Sequence, residues 1–173
     1  DNNLYAINAA DGTEKWKFNT GGVVYSSPTV SDGVVYVGSN NGYIYAFNAT
    51  TGTKKWDSPT GNSVKSSPII SDGVVYVGST DGYMYAFNVA DGTEKWKFLT
   101  NISINSSCSP IINDGIVYIG SNKLYAIFAK TGTKIFEYNV SYSATGITLG
   151  DGYHKVTSPG YIPSAYDPLK IKL

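Results

Sequence analysis

The stretch SSPTVSDGVVYVGSNNGYIYAFNATTGTKKWDS, residues 26–58, decides the fold, because it recurs 40 positions later as SSPIISDGVVYVGSTDGYMYAFNVADGTEKWKF, residues 66–98. Trp16, Trp56 and Trp96 keep the same spacing. A fixed period of this length indicates an array of one supersecondary unit. Such a unit is too small to bury its own apolar face, so successive units must stack on one another.

Each unit is predicted to consist of four short strands, A to D, joined by tight turns. Asp32-Gly33 separates two β-rich runs, and Asp-Gly pairs favour hairpin turns. The pair Asn41-Gly42 marks the second turn, and Gly52 lies in the third. A helical period of 3.6 residues does not occur. The sequence therefore predicts an all-β fold in which each repeat is a four-stranded antiparallel blade.

The ends of the chain carry incomplete repeats. The third full repeat, about residues 107–138, has altered loops, yet Phe136 stays in phase with the tryptophans. Residues 1–18 resemble only strands C and D, and residues 145–157 resemble only A and B. We predict a β-propeller over residues 1–158, with three full blades and one blade split between the termini. A closed four-bladed ring is expected; an eight-bladed ring shared by two chains and an open fragment of a longer protein are the alternatives.

The repeat resembles that of the quinoprotein-type β-propellers, the pyrroloquinoline quinone (PQQ) repeat. Residues 46–56 match that family's tryptophan-docking pattern, Ala-x-(Asp/Asn)-x-x-(Thr/Asp)-Gly-x-x-x-Trp. The resemblance implies that the indole packs between neighbouring blades, where a large buried ring dominates an interface. The residues given this docking role are Trp16, Trp56, Trp96, Phe136, Gly12, Gly52, Gly92 and Gly132. Phe136 cannot donate the indole hydrogen bond, so we expect its interface to be the weaker one.

Composition excludes several classes of function. The 13 basic and 13 acidic residues balance, and every basic residue is Lys. A neutral chain lacks the positive excess that nucleic-acid binding needs. No apolar run reaches the length of a membrane helix. Cys108 and His154 each stand alone in the sequence, which excludes a disulfide within the chain and a Cys/His zinc site. A Ser-His-Asp or Cys-His catalytic arrangement would have to be built around His154 and is not expected.

The family that this repeat resembles contains two functional classes. One comprises PQQ-dependent alcohol and sugar dehydrogenases with eight-bladed rings; the other comprises non-catalytic propellers that use the same repeat as a scaffold. For the dehydrogenases, the resemblance implies a cofactor pocket with calcium, a catalytic Asp, a cation beside the quinone and usually a vicinal cysteine pair. This chain has no Arg and a single Cys, and turn chemistry accounts for its Asp-Gly carboxylates. We therefore predict a non-catalytic protein without catalytic residues, metal or cofactor.

The D-to-A loops vary most between repeats and are the predicted binding face. They read NTGGVVY (19–25), PTGNSVK (59–65) and LTNISINSSC (99–108). In a propeller these loops share one face with the B-to-C turns. The candidate binding-face residues, taken as equivalent positions before strand A, are Tyr25, Lys65 and Ser106.

Four N-x-Ser/Thr sequons are candidate glycosylation sites. They begin at Asn48, Asn101, Asn105 and Asn139. Asn101 and Asn105 lie in the longest loop and are the best candidates. The first residue, Asp1, is not Met, from which we expect a processed N-terminus.

Residues 159–173 form a Pro-rich tail that breaks the repeat. Its end, LKIKL (169–173), alternates apolar and basic residues as a half-buried edge strand does. Such a strand packs on its own ring or is donated to a neighbouring subunit. A disordered tail is the third alternative.

These features predict an extracytoplasmic scaffold, secreted or at the cell surface, with a structural or adhesive role. Its predicted partners are other proteins, first of all copies of itself, with no nucleic acid and no membrane insertion. One alternative is a periplasmic protein-interaction module that acts as a monomer. Another is a fragment of an eight-bladed PQQ-dependent dehydrogenase.

Overall fold

The computed structural model describes residues 1–104, 108–121 and 123–139 with their side chains, and the backbone of residues 146–150 and 153–157. The described residues form sixteen strands. In chain order these are β1 (Asn3–Ile7), β2 (Glu14–Asn19), β3 (Thr29–Ser31), β4 (Val34–Gly38), β5 (Tyr43–Asn48), β6 (Lys54–Pro59), β7 (Ile69–Ser71), β8 (Val74–Gly78), β9 (Tyr83–Asn88), β10 (Glu94–Leu99), β11 (Ile111–Asn113), β12 (Ile116–Gly120), β13 (Lys123–Phe128), β14 (Lys134–Asn139), β15 (Gly146–Gly150) and β16 (Tyr153–Thr157).

The strands form three complete blades and two half blades. Blade 1 is β3–β6, blade 2 is β7–β10 and blade 3 is β11–β14. The N-terminal half blade is β1–β2, and the C-terminal half blade is β15–β16. All pairs are antiparallel and join strands that are consecutive in the chain. The prediction of an all-β propeller with four-stranded antiparallel blades is confirmed.

The A-to-B turns are two-residue Asp-Gly hairpins in the left-handed backbone region. The φ angle is +48° at Asp32 and +72° at Gly33, and the Asp-Gly turns of blades 2 and 3 repeat these values closely. Asp is one of the few residues besides Gly that tolerates a positive φ. Two such residues in a row make a turn whose twist matches that of the flanking strands.

The apolar core lies between the blades rather than inside any one of them. Strands β4 and β5 are buried along nearly their whole length. Val35 and Phe47 pack towards the N-terminal half blade, whereas Tyr36 and Ala46 pack towards blade 2. Successive side chains of a strand point to opposite faces. A different neighbour therefore covers each face of these strands. A single blade cannot bury its own apolar side chains.

Short polar bonds link the blades at their inner ends. The Thr29 hydroxyl donates to the Pro68 carbonyl at 2.6 Å. The Ser27 amide donates to the Ser67 hydroxyl, and the Ser67 amide donates in the same way to Ser109. The repeated bonds align these three serines as equivalent positions in successive blades.

The two half blades do not join within one chain, so the expected closed four-bladed ring is wrong. Among the described strands, β1 pairs only with β2, and β16 pairs only with β15. Closure of a ring depends on the angle between successive blades. The side chains packed in each interface determine that angle. A repeat pattern reports how many blades the chain supplies but not that angle. The blades form an open arc.

A group of charged side chains on the outer part of blade 3 predicts a pH dependence. Glu137 accepts hydrogen bonds from Lys123 at 2.6 Å and from Lys134 at 2.8 Å. The two ammonium groups lower the pKa of the Glu137 carboxyl from 4.5 to about 2. Because the pKa falls on folding, the stabilisation is complete above about pH 4.5 and is lost as the pH falls through about 2.

A carboxyl NMR titration at low salt should therefore give Glu137 a midpoint far below 4.5. Lys123→Met should move that midpoint upwards, because one of the two donors is lost. Lys55→Met, which removes a lysine from blade 1, is the control and should leave the midpoint in place. A midpoint near 4.5 in the unaltered chain would contradict this account.

Candidate functional site

The three indole rings lie on the neighbouring blade, where a turn glycine and a backbone carbonyl receive each of them. Every Nε1–H donates to a carbonyl 33 residues ahead, at 2.9–3.0 Å. We call the glycine and the carbonyl together a docking seat. Trp16 occupies the seat of Gly52 and Ala49, Trp56 that of Gly92 and Val89, and Trp96 that of Gly132 and Ala129.

The seat glycine has no room for a side chain. A Cβ on Gly92 would lie 2.7 Å from Trp56 Cε3 and 2.5 Å from Ser58 Oγ. The φ angle of Gly92 is +75°, in the region that favours glycine. Trp56 is only 7% exposed in this seat. Glycine is thus required both for the backbone conformation and for the approach of the ring.

The first glycine of the series, Gly12, and the last aromatic residue, Phe136, have no such partner among the described residues. Gly12 has a φ of +74°, but no described atom lies within 4 Å of its Cβ position. Phe136 is half-buried on β14 and packs with Tyr118, Leu124 and Ala126. The structure therefore brings together three ring–glycine pairs and leaves Gly12 and Phe136 apart.

The D-to-A loops and the B-to-C turns form one face, and hydrogen bonds hold the loops down. The Val64 amide donates to the Ser39 carbonyl at 3.0 Å, and the Asn40 amide donates to the Val23 carbonyl at 3.0 Å. The side chain of Val64 occupies the space that a Cβ on Gly38 would need. The loops are therefore fixed in place by backbone bonds and by packing.

On this face the structure brings Tyr25 and Lys65 together. Lys65 Nζ lies 5.8 Å from the centroid of the Tyr25 ring, a cation–π geometry. The ring itself is 61% exposed. Tyrosine is enriched in protein interfaces and in their energetically dominant positions. The pair is an exposed aromatic group on an anchored loop.

Ser106 and Asn105 lie outside the described residues. The bond between Ser67 and Ser109 spans 42 residues, two more than the bond between Ser27 and Ser67. Ile104 still keeps the 40-residue spacing from Val64, because its amide donates to Ser79 as the Val64 amide donates to Ser39. The equivalence of Ser106 with Tyr25 and Lys65 stays a prediction.

Tyrosines on the C strands tie this face to the blades, and the repeat analysis did not single them out. Tyr45 donates to the Thr20 carbonyl at 3.2 Å. Tyr85 donates to Asp81 at 2.6 Å, and the Gly61 amide donates to the same carboxylate oxygen at 2.8 Å. Burial, together with the bond to Asp81, raises the pKa of Tyr85, which keeps its hydroxyl a donor. The signal in the sequence was the recurrence of Tyr before each Ala-Phe or Ala-Ile pair.

Three of the four sequon asparagines are described. Asn101 is exposed, with a left-handed φ of +63°, and Asn139 is exposed at the end of β14. Asn48 is the last residue of β5, and its side-chain oxygen accepts from the Thr50 amide in the following turn at 2.9 Å. Glycosylation stays a prediction at all four positions.

Within the described residues, no group of three or more His, Cys, Asp or Glu side chains is placed to hold a metal ion. A shallow cleft of about 400 Å³ separates the turns of blades 1 and 2, and its lining includes Asp32, Asp72 and Lys55. Cys108 is buried. The same part of the chain contains no helix with the length and apolar character needed to cross a membrane. The absence of catalytic residues stays a prediction.

Comparison with known proteins gives a family and several related folds. The family model of the outer membrane protein assembly factor BamB matches residues 1–159. The solved structure of BamB from Moraxella catarrhalis is similar, with a TM-score of 0.76 and 22% identity over 85% of this chain and 50% of that chain. The computationally designed Ika4 protein has a TM-score of 0.71 and 17% identity over 80% of this chain and 86% of that chain.

An enzyme shares the same fold. The quinohemoprotein alcohol dehydrogenase ADHIIG from Pseudomonas putida HK5 has a TM-score of 0.69 and 19% identity over 88% of this chain and 35% of that chain. No curated protein sequence matches. The chain spans about half the length of the Moraxella BamB structure. Identities this low show a shared fold and do not extend to activity.

Two glycine substitutions should separate docking from backbone strain. Gly92→Ala and Gly73→Ala place alanine at nearly equal φ angles, +75° and +73°, so both incur similar strain. Only Gly92 faces a ring, because no described atom lies within 4 Å of the Cβ position of Gly73. Gly92→Ala should therefore cost about 1–3 kcal/mol more in the free energy of unfolding. Equal losses in urea unfolding would show that the indole is not confined by its seat.

Proposed function

Because this chain belongs to the family of the outer membrane protein assembly factor BamB, we propose that it is a non-catalytic scaffold that binds other proteins outside the cytoplasm. The observation that carries the proposal is the exposed Tyr25 ring, with Lys65 beside it, on a face whose backbone is fixed. A loop whose backbone is held in place before binding loses little conformational freedom on contact with a partner. Sequence variation between the repeats is concentrated in the same loops.

Self-assembly at the cell surface is the second part of the proposal. The loop at residues 99–108 exposes Leu99 and Ile102, at 43% and 40%. Exposed apolar side chains in a loop that differs between repeats favour a protein contact. The tail at residues 159–173 lies outside the described residues, and its alternating end supports strand donation to a neighbouring copy. We propose that this loop or this tail lies in the contact between subunits.

Two other functions compete with this one. A periplasmic module that binds its partner as a monomer would use the Tyr25 face without self-association. A fragment of a PQQ-dependent dehydrogenase would share the fold of ADHIIG. The composition disfavours the enzyme, because the chain has no Arg to pair with the quinone and a single Cys.

Titration with PQQ and calcium should produce no bound quinone absorbance. It should also produce no reduction of an artificial electron acceptor by alcohols or sugars, since the sequence has no Arg and no vicinal cysteine pair. A PQQ-dependent dehydrogenase assayed in parallel is the positive control. A stoichiometric complex that reduces the acceptor would overturn the scaffold proposal in favour of the enzyme.

Sedimentation equilibrium should give the full chain a mass above that of the monomer. Removal of residues 159–173, or Ile102→Lys, should weaken the association at least tenfold, about 1.4 kcal/mol. Ile135→Lys is the control, because Ile135 has a similar exposure of 38% but lies on the outer strand β14. Unchanged association in both test variants would show that neither the loop nor the tail lies in the contact between subunits. A full chain that stays monomeric at high concentration would overturn self-assembly.

A further inference from the structure

The cleft between blades 1 and 2 lies at the end of the blades opposite the Tyr25 face. Antiparallel strands place the A-to-B and C-to-D turns of a blade at one end and its other connections at the opposite end. The A-to-B turns of both blades, the start of β6 and residues 89–90 enclose about 400 Å³ there. This volume lies within the range of small-molecule sites. The cleft is therefore a surface separate from the proposed protein-binding face.

The cleft offers charged groups that no ion pair within the described chain neutralises. Asp32 and Asp72 line it, and each accepts a hydrogen bond at 3.2 Å from the hydroxyl of the serine before it, which orients the carboxylate. Lys55 lines the same cleft from β6. The ion pairs of the described residues use other lysines and other carboxylates. A ligand in the cleft thus meets two negative charges and one positive charge.

A buried tyrosine adds a hydroxyl group that the protein itself does not use. Tyr36 is only 2% exposed and lines the cleft, and its hydroxyl has no hydrogen bond to any described residue. Its counterpart in blade 2, Tyr76, donates to the Ala129 carbonyl at 3.3 Å. Buried polar groups are normally hydrogen-bonded. The hydroxyl of Tyr36 therefore points to a partner that enters the cleft.

The remaining wall suits a short alkyl chain that ends in a charge. Val34, Ile70 and Val89 contribute aliphatic side chains to the lining. Methylene groups can lie along such a wall while the charged ends of the same molecule keep polar contacts. Burial, together with the nearby charge of Asp32, raises the pKa of Tyr36, so its hydroxyl stays protonated and can donate.

We propose that this cleft binds a free basic amino acid, arginine or lysine. Its α-ammonium group and its side-chain cation face Asp32 and Asp72, and its carboxylate faces Lys55 and accepts from the Tyr36 hydroxyl. The ligand carries two positive charges and one negative charge, which is the opposite of what the cleft carries. Hydrogen bonds between charged groups are the stronger ones in proteins. The inference goes beyond the scaffold function and does not depend on self-assembly.

Calorimetric titration of the full chain with L-arginine should show saturable binding at one site. Asp72→Asn should weaken it at least about tenfold, because a charged acceptor is lost. Asn tolerates the left-handed φ of +49° at this position, so the turn should survive. Asp114→Asn is the matched control, since Asp114 has a φ of +48° in the same turn of blade 3 and does not line the cleft. It should bind arginine as the unaltered chain does.

Two tyrosine variants separate binding from stability. Tyr36→Phe should weaken arginine binding about 2- to 10-fold and leave the urea midpoint unchanged, because no hydrogen bond of the protein is lost. Tyr76→Phe should do the reverse, since its hydroxyl bonds to the Ala129 carbonyl and lies outside the cleft. An equal effect of both variants on arginine binding would contradict the role given to Tyr36.

Related ligands test each group of the amino acid. Agmatine, which is arginine without its carboxylate, should bind at least about tenfold more weakly. Lys55→Met should weaken the binding of arginine by a similar factor without weakening that of agmatine. The tripeptide Gly-Gly-Arg has an amide in place of the α-ammonium group and should also bind more weakly than arginine. Equal affinity for the tripeptide would mean that the cleft takes the end of a peptide and not a free amino acid.

Three results would overturn the inference. The first is an absence of saturable arginine binding by the full chain, and the second is equal affinity for arginine and agmatine. The third is binding that appears only after removal of residues 159–173, which would show that the tail itself occupies the cleft. All three leave the scaffold proposal in place, because that proposal concerns the opposite face and is tested by the quinone titration and by sedimentation.

Discussion

One contact supports the architecture: an indole ring lies against a glycine of the next blade while its N–H bonds to a carbonyl of the same turn. At Trp56 the ring, the Gly92 backbone and the Val89 carbonyl define it. Strands β4 and β5 are buried on both faces, and each face is covered by a different neighbour. Stability in such an array is a sum of nearest-neighbour interfaces. Loss of one docking seat therefore exposes the facing sheets of two blades, and not merely one side chain.

The binding face depends on the same neighbour relation. Ser63 lies in the loop between blades 1 and 2, donates through its hydroxyl to the Asn40 carbonyl of blade 1 and accepts through its carbonyl from the Thr80 amide of blade 2. Many of the bonds that hold these loops use loop backbone atoms, and the hydroxyls of Thr20, Thr60 and Thr100 add an equivalent bond in each loop. Because backbone groups are common to all residues, the loop side chains can vary while the loop conformation is kept. A rigid face with changing chemistry follows from this arrangement.

The sequence predicts the local features of the structure well and the global ones poorly. The blade strands, the Asp32-Gly33 turn and the positions of Trp56 and Gly92 follow from short-range patterns, and the structure shows them. The open arc could not be predicted, because the angle between blades arises from packing across whole interfaces. The proximity of Tyr25 and Lys65 was also hidden, since residues 40 apart meet only once the blades stack.

The constant spacing of the seats has a consequence for the way such a chain can change. Each indole reaches 33 residues forward to an equivalent carbonyl, whichever blade it starts from. A duplication or loss of one 40-residue repeat, like that which relates residues 26–58 to 66–98, would add or remove one whole blade. Every remaining junction would then still join the same residue types. The number of blades can thus change during descent without altering any single junction.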